Sequence, residues 1–154
     1  MGIQTSTSMR NVFQLAAEAA SRSQHLISPS HLLLGMLCVS DSGAGKLLHG
    51  LPRLTAMKTE LETQIRKIPP SYGLPSNKKI PLSKESKMAM EQSIVRVMNR
   101  DMCWHTIDVL VGIVLEGKSQ AAVILAQRSL NRETINEVLA ASDRFLDDCC
   151  GLRS

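Results

Sequence analysis

Apolar residues along this chain recur at steps of three and four, in short runs broken by serine, glycine and proline. Met9, Val12, Phe13, Ala16, Ala17 and Ala20 share one face of a predicted first helix. The stretch "ISPSHLLLGML", Ile27 to Leu37, opens a second. Ser28 carries the short oxygen of an N-cap, and Pro29 takes the first helical position, where a missing N–H costs nothing. Ile27 and Leu32 have the spacing of a hydrophobic staple. "DSGAGKLLHGL" predicts a turn and a short third helix, and "RLTAMKTELETQIRKI" a fourth with the stripe Leu54, Met57, Leu61, Ile65 and Ile68.

"PPSYGLPSNKKIP", Pro69 to Pro81, then holds four of the six prolines and reads as a linker, since each proline removes an N–H and disfavours helix before it. Beyond it the pattern restarts. Ser83 caps a helix carrying Met90, Ile94, Val97 and Met98, and a second begins near Thr106. A third spans Ser119 to Arg128, and a fourth, capped by Asn131, carries Ile135, Val138, Leu139, Ser142, Phe145, Leu146 and Cys149.

The two runs superpose. Setting Gly35 on Gly112, an offset of 77 residues, lays "ISPSHLLLGML" over "WHTIDVLVGIV" and "AGKLL" over a stretch containing "AVIL". The staple pair repeats as Trp104 with Val109. The prediction is an all-α fold of two tandem four-helix repeats, about eight helices packed as one pseudo-twofold domain over residues 1–154. Repeat one covers about 8–68, the linker about 69–82 and repeat two about 83–149. Each repeat is too small to hide its apolar face without the other.

Repetition also bears on chemistry. Ser30 and His31 suggest a nucleophile beside its base, but the second copy keeps the helix start and places Ile107 and Asp108 there. The shared feature is therefore a capped helix, not a catalytic pair. His25, His49 and His105 lie in separate segments with no i, i+4 pair, and Cys38, Cys103, Cys149 and Cys150 show no CxxC spacing, so no metal or cofactor is expected. The cysteines read as reduced core thiols. Glu60 and Glu62, two apart on their helix, point in different directions and read as solvated. Met57, Met90 and Met98 fall on apolar stripes and are expected to be buried. Met36 and Met102 are placed in a groove between the copies, where flexible thioethers suit varied partners.

Composition narrows the class further. The 154 residues are 44% apolar but only 3% aromatic, which favours a helical core of Leu, Ile, Val, Met and Ala over a β-sandwich. Lys and Arg exceed Asp and Glu by 18 to 14, a net charge of +4. The one basic cluster, Lys78, Lys79, Lys84 and Lys87, is diluted by Glu85, and few aromatics are present to stack on bases, which argues against nucleic acid. The alternative function is a small basic helical regulator binding nucleic acid, with Arg96 and Arg100 extending that cluster. No apolar run approaches the roughly 18 residues of a membrane span, so no membrane partner is expected.

The double repeat, with "SPSHLLLGML" inside it and "IPLSKESKMAMEQS" opening the second copy, resembles the Clp amino-terminal domain family, found at the front of ClpA- and ClpC-type AAA+ unfoldases. The family pattern runs Gly-Thr-Glu-His-Ile-Leu-Leu-Gly-Leu, followed by a "GVAARVL"-like helix. Here Ser28 to Met36 and Ser42 to Leu48 occupy those slots. The resemblance covers about Met9 to Phe145. It implies a non-catalytic domain, without cofactor, that docks clients and adaptors for Clp ATPase or Clp peptidase subunits.

The resemblance also implies that the motif glutamate of each copy contributes to an acidic pocket for phosphorylated arginine. Ser30 and Ile107 stand at those positions and cannot pair with a guanidinium; Asp108, one place later, is the substitute carboxylate or else serves its helix dipole. The candidate partner-binding residues are thus Ser30, His31, Ile107, Asp108, Met36 and Met102. "GAGKLL" is not a Walker A loop: Ser40 and Leu47 stand where glycine and a hydroxyl are required, and a helix, not a strand, precedes it. With Met1 and no targeting peptide, the expectation is a stand-alone, cytoplasmic family member, with the plastid stroma as the alternative.

Overall fold

The computed structural model describes residues 2–23, 25–70, 80–140 and 145–147, and of Val138 and Leu139 the backbone alone. In chain order the elements are β1 (Gln4–Thr5), α1 (Thr7–Arg22), α2 (Pro29–Cys38), α3 (Gly43–His49), α4 (Leu54–Lys67), α5 (Lys84–Met98), β2 (Cys103–Trp104), α6 (Thr106–Glu116), α7 (Gln120–Ala126) and α8 (Ile135–Ala140). Helices dominate in the predicted order, with α1 to α4 matched by α5 to α8. Between Lys67 and Leu82 the described residues form no helix or strand, and 71–79 lie outside them.

Serine oxygens start most of these helices. Ser6, Ser28, Ser42, Ser83 and Ser119 each accept the backbone N–H three residues on, satisfying one of the donors a first turn leaves unpaired. Ser6 pairs with Ser83 and Ser42 with Ser119 at the same 77-residue offset that joins Gly35 to Gly112.

The core is built around α2 and α6, with α1 crossing α2 and α5 crossing α6. From Thr106 to Val114 every residue of α6 is buried. Gly35 and Gly112 sit at the two crossings: a Cβ on Gly35 would stand 3.0 Å from the Val12 carbonyl oxygen, and one on Gly112 1.9 Å from that of Ala89. Val12 and Ala89 are themselves equivalent at the repeat offset.

The face α5 buries is Ser86, Ala89, Ser93 and Val97, rotated from the predicted stripe. Small residues let α5 approach Gly112 closely, so Met90 and Ile94 are half-buried and Met98 is 55% exposed.

The tiny strands were not expected, and they join the halves. β1 pairs in parallel with β2, Gln4 opposite Cys103 and Thr5 opposite Trp104, and an isolated parallel bridge joins Ile27 to Leu82. At the repeat offset Thr5 corresponds to Leu82 and Ile27 to Trp104. The segment entering each copy's first helix thus pairs with the segment entering the other copy's second helix. Ser6 N–H donates to the Trp104 carbonyl at 2.9 Å and Ser83 N–H to the Ile27 carbonyl at 2.9 Å, the same bond in each half.

The final helix departs from the prediction. Asn131 does cap the turn before α8, its Oδ1 accepting from Glu133 and Thr134 N–H. However, Phe145 to Asp147 are not α-helical. Ser142 and Cys149 lie outside the described residues. Cys103 is buried as expected, whereas Cys38 is exposed. No single described helix is long and apolar enough to cross a membrane; α6 and α7 together have the composition but meet at a bend of 93°.

Candidate functional site

Ser30 and His31 lie at the start of α2, both buried. Ser28, not Ser30, engages the histidine: its backbone N–H donates to His31 Nδ1 at 3.1 Å, and its hydroxyl lies 2.7 Å from the same nitrogen. Nδ1 therefore carries no proton, and Nε2–H has no partner among the described residues. A serine–histidine–acid triad needs a carboxylate on that far nitrogen to orient the ring. Instead, burial and then the neighbouring His25, with ring centroids 5.4 Å apart, push the His31 pKa down to about 4. His25 Nε2–H donates to the Ile68 carbonyl at 2.9 Å, tying the end of α4 to this helix start. These contacts make the region a helix cap.

In the second copy Ile107 and Asp108 occupy the same two positions, both fully buried. Asp108 accepts the His105 N–H at 2.8 Å, the carboxylate half of a capping box, and takes Arg100 in a two-pronged pair at 2.8 and 2.7 Å. Arg96 stands 3.7 Å away. The carboxylate that could have received a partner's guanidinium is occupied by the chain's own. Asp108 chiefly holds the Arg100 guanidinium in its charged form, raising its pKa further. Arg96 and Arg100 are consequently drawn toward Asp108 and not free for the phosphates of the nucleic-acid reading, while Lys78 and Lys79 lie outside the described residues.

One carboxylate that no sequence pattern pointed to is the centre of a larger network. Asp147, in the segment after α8, is buried between the starts of α1, α3 and α6. It accepts from Ser6 Oγ–H at 2.7 Å, Gly43 N–H at 2.7 Å, Thr106 N–H at 2.6 Å and Thr106 Oγ1–H at 2.7 Å. Its own N–H donates to His105 Nδ1 at 2.9 Å, and His105 Nε2–H donates to Asp101 at 2.8 Å. Burial raises the Asp101 pKa, but the His105 hydrogen bond, the Arg100 charge and the Cys103 N–H outweigh it and leave the carboxyl below its usual value. Gly43 admits this segment: a Cβ there would stand 1.5 Å from the Phe145 carbonyl oxygen. A second buried ion, Arg128, reaches Glu60 at 3.0 Å and the Arg53 carbonyl at 3.2 Å, so Glu60 is not simply solvated.

The groove between the copies exists, with different walls from those expected. Met36 is wholly buried in the core cluster, and Met102 lies outside the groove on the turn after α5 at a φ of 56°. A groove of about 780 Å³ runs instead between α1 and α5, with Phe13 and Ala17 on one wall, Met90 on the other, and Thr5, Ile80 and Leu82 among its lining. Phe13 and Met90 are equivalent at the repeat offset, as are Thr5 and Leu82, so the groove straddles the pseudo-twofold relation. Phe13 and Met90 were legible as apolar helix positions. Their half-exposure was not, since it depends on how far α1 and α5 stand apart. A smaller cleft of about 490 Å³ at the start of α2 is lined by Ser30 with Ile68, Lys84, Glu85 and Glu116.

The arrangement thus combines helix caps, internally paired ions and an open, mostly apolar groove. Among the described residues no group of three or more His, Cys, Asp or Glu side chains is placed to hold a metal. A search of curated proteins finds no match. The family model described as the Clp repeat (R) N-terminal domain matches residues 4–128, from β1 to the end of the α7 turn and short of the Asp147 segment. Domains of this family are non-catalytic and dock substrates and adaptors of Clp-type ATPases. Covering most of the chain, and agreeing with the duplicated helical fold, that match shows that the chain belongs to the Clp repeat N-terminal domain family.

Proposed function

We propose that the chain is a non-catalytic accessory of a Clp-type ATP-dependent unfoldase or its peptidase, receiving an apolar segment of a client or adaptor polypeptide in the groove between α1 and α5. The groove carries this reading. It is the one place among the described residues where Phe13, Met90, Ile80 and Leu82 together leave apolar surface half-exposed around a space of about 780 Å³. Apolar concave surface with a few polar groups is what peptide-binding sites present. The caps at Ser28/His31 and His105/Asp108, whose side chains are engaged within the chain itself, support a passive scaffold.

Binding of a reduced, carboxymethylated polypeptide, measured by fluorescence polarisation, tests the groove. Wild type binds, and Phe13→Asp, which puts a charge on the wall, weakens binding at least about tenfold while the helical circular dichroism is kept. Equal binding by the variant would remove the groove from the proposal. Retention of purified Clp ATPase or peptidase subunits on the immobilised chain tests the accessory role, and retention of neither would overturn it.

A further inference from the structure

Among the described residues two strand edges are left open in the groove. In a parallel ladder the N–H and C=O of one residue point to the neighbouring strand and those of the next point away. Gln4 and Ser6 donate toward β2, to the Met102 carbonyl at 2.8 Å and the Trp104 carbonyl at 2.9 Å, so both backbone groups of Thr5 point to the other side. Around the isolated bridge, Ile27 N–H donates to the Pro81 carbonyl and Ser83 N–H to the Ile27 carbonyl, which turns both backbone groups of Leu82 away from Ile27. Neither the Thr5 nor the Leu82 groups find a backbone partner among the described residues. Both residues line the groove, and both are half-buried.

Unpaired edges in an apolar groove are a template for another strand, since main-chain bonds supply affinity while flanking pockets take alternate side chains. The repeat makes the two edges equivalent, and it makes the walls equivalent through Phe13 and Met90. A symmetric groove gives an inserted peptide no preferred direction. The charges break that symmetry. Arg10 lines the groove, is exposed, and has as its described partner the Thr7 hydroxyl of its own turn; its counterpart at the offset, Lys87, is not part of the lining.

Resting on the groove reading above, we infer that the occupant is an extended polypeptide segment that adds a strand at Thr5 and Leu82, with alternate apolar side chains against Phe13 and Met90 and an acidic residue at the Arg10 end. A helical ligand would leave the open edges unused, and a purely apolar one would leave Arg10 without a counter-charge.

The probe is the peptide fluoresceinyl-Asp-Val-Ser-Val-Ser-Val-amide, compared with two N-methylated forms, one methylated on the three valines and the other on the two serines. Methylation removes one row of N–H donors and leaves every side chain unchanged. The parent peptide binds, and at least one methylated form binds about tenfold more weakly, the effect of losing two hydrogen bonds. Arg10→Glu weakens the parent several-fold, and replacing the peptide's aspartate by lysine restores binding to that variant. If the parent and both methylated forms bind within twofold of one another, strand addition is overturned while the groove reading stands. If the parent fails to bind while the unfolded polypeptide still binds in a Phe13-dependent way, the strand is again overturned and the groove kept. If neither ligand binds, both readings fall together.

Discussion

At the third position of α2 the first copy carries His31, and at the same place in α6 the second carries Asp108; each reaches back to the backbone N–H of its cap residue. The two side chains meet one local need with different charge, and their surroundings follow from that. Asp108 is matched by Arg100, whereas His31 is kept neutral by burial with its pKa near 4, against 6.5 in the unfolded chain. A base whose folded pKa is depressed binds its proton more readily when unfolded. Its contribution is therefore complete above about pH 6.5 and is lost as pH falls toward about 4, at up to about 1.4 kcal/mol per pH unit. Urea denaturation across that range shows this slope in wild type, and a shallower one in His31→Gln, which keeps a capping side chain without the titration. Asp147 is the stronger test of a single side chain. Asp147→Asn turns one accepting oxygen into a donor facing other donors, and is expected to destabilise by about 2–4 kcal/mol in the same measurement. The role of Asp108 at a helix start could be read three residues from its cap. That of Asp147 could not, because its partners Ser6, Gly43 and Thr106 lie 141, 104 and 41 residues away.

Among the elements, the serine caps and the three-to-four spacing of apolar residues marked helix starts well, since both signals act within a turn or two of the chain. Which face a helix buries was read less well. On α5 the stripe Met90, Ile94, Val97 and Met98 suggested the inner face, but of these only Val97 is fully buried and Ser86, Ala89 and Ser93 share that face with it, because α6 presents Gly112 there and a close crossing excludes bulk. The two crossings differ in tightness, which gives an ordered prediction. Gly112→Ala forces its new methyl onto the Ala89 carbonyl and lowers stability by about 1–3 kcal/mol, while Gly35→Ala, with 3.0 Å to the Val12 carbonyl, is milder. Thermal melts of the two variants, compared at equal pH, check that order. The end of α8 escaped the pattern for a related reason. Phe145 and Leu146 continue a helical stripe on paper, but the chain leaves the helix to bring Asp147 to its unpaired donors.

Across the whole molecule, the halves are tied by exchange: Thr5 binds beside Trp104 and Leu82 beside Ile27, α3 packs on α6, and α2 on α7. Neither half retains these partners alone, so the fragment 1–70 is expected to show little helix by circular dichroism and no cooperative melt, recovering both when mixed with 80–154. A cooperative melt from the first fragment alone would mean that the exchange is dispensable. The groove is a product of the same assembly, as its walls come one from each copy. Helix order, cap residues and the duplication itself were all present in the chain as written, because each depends on neighbours within a few positions or on plain recurrence at a distance of 77. The strand exchange, the pairing of Arg100 with Asp108, the seat of Asp147 and the opening between Phe13 and Met90 were settled only when the helices docked. A periodic pattern records that a residue is apolar or polar, but not how far away the surface it will meet comes to rest.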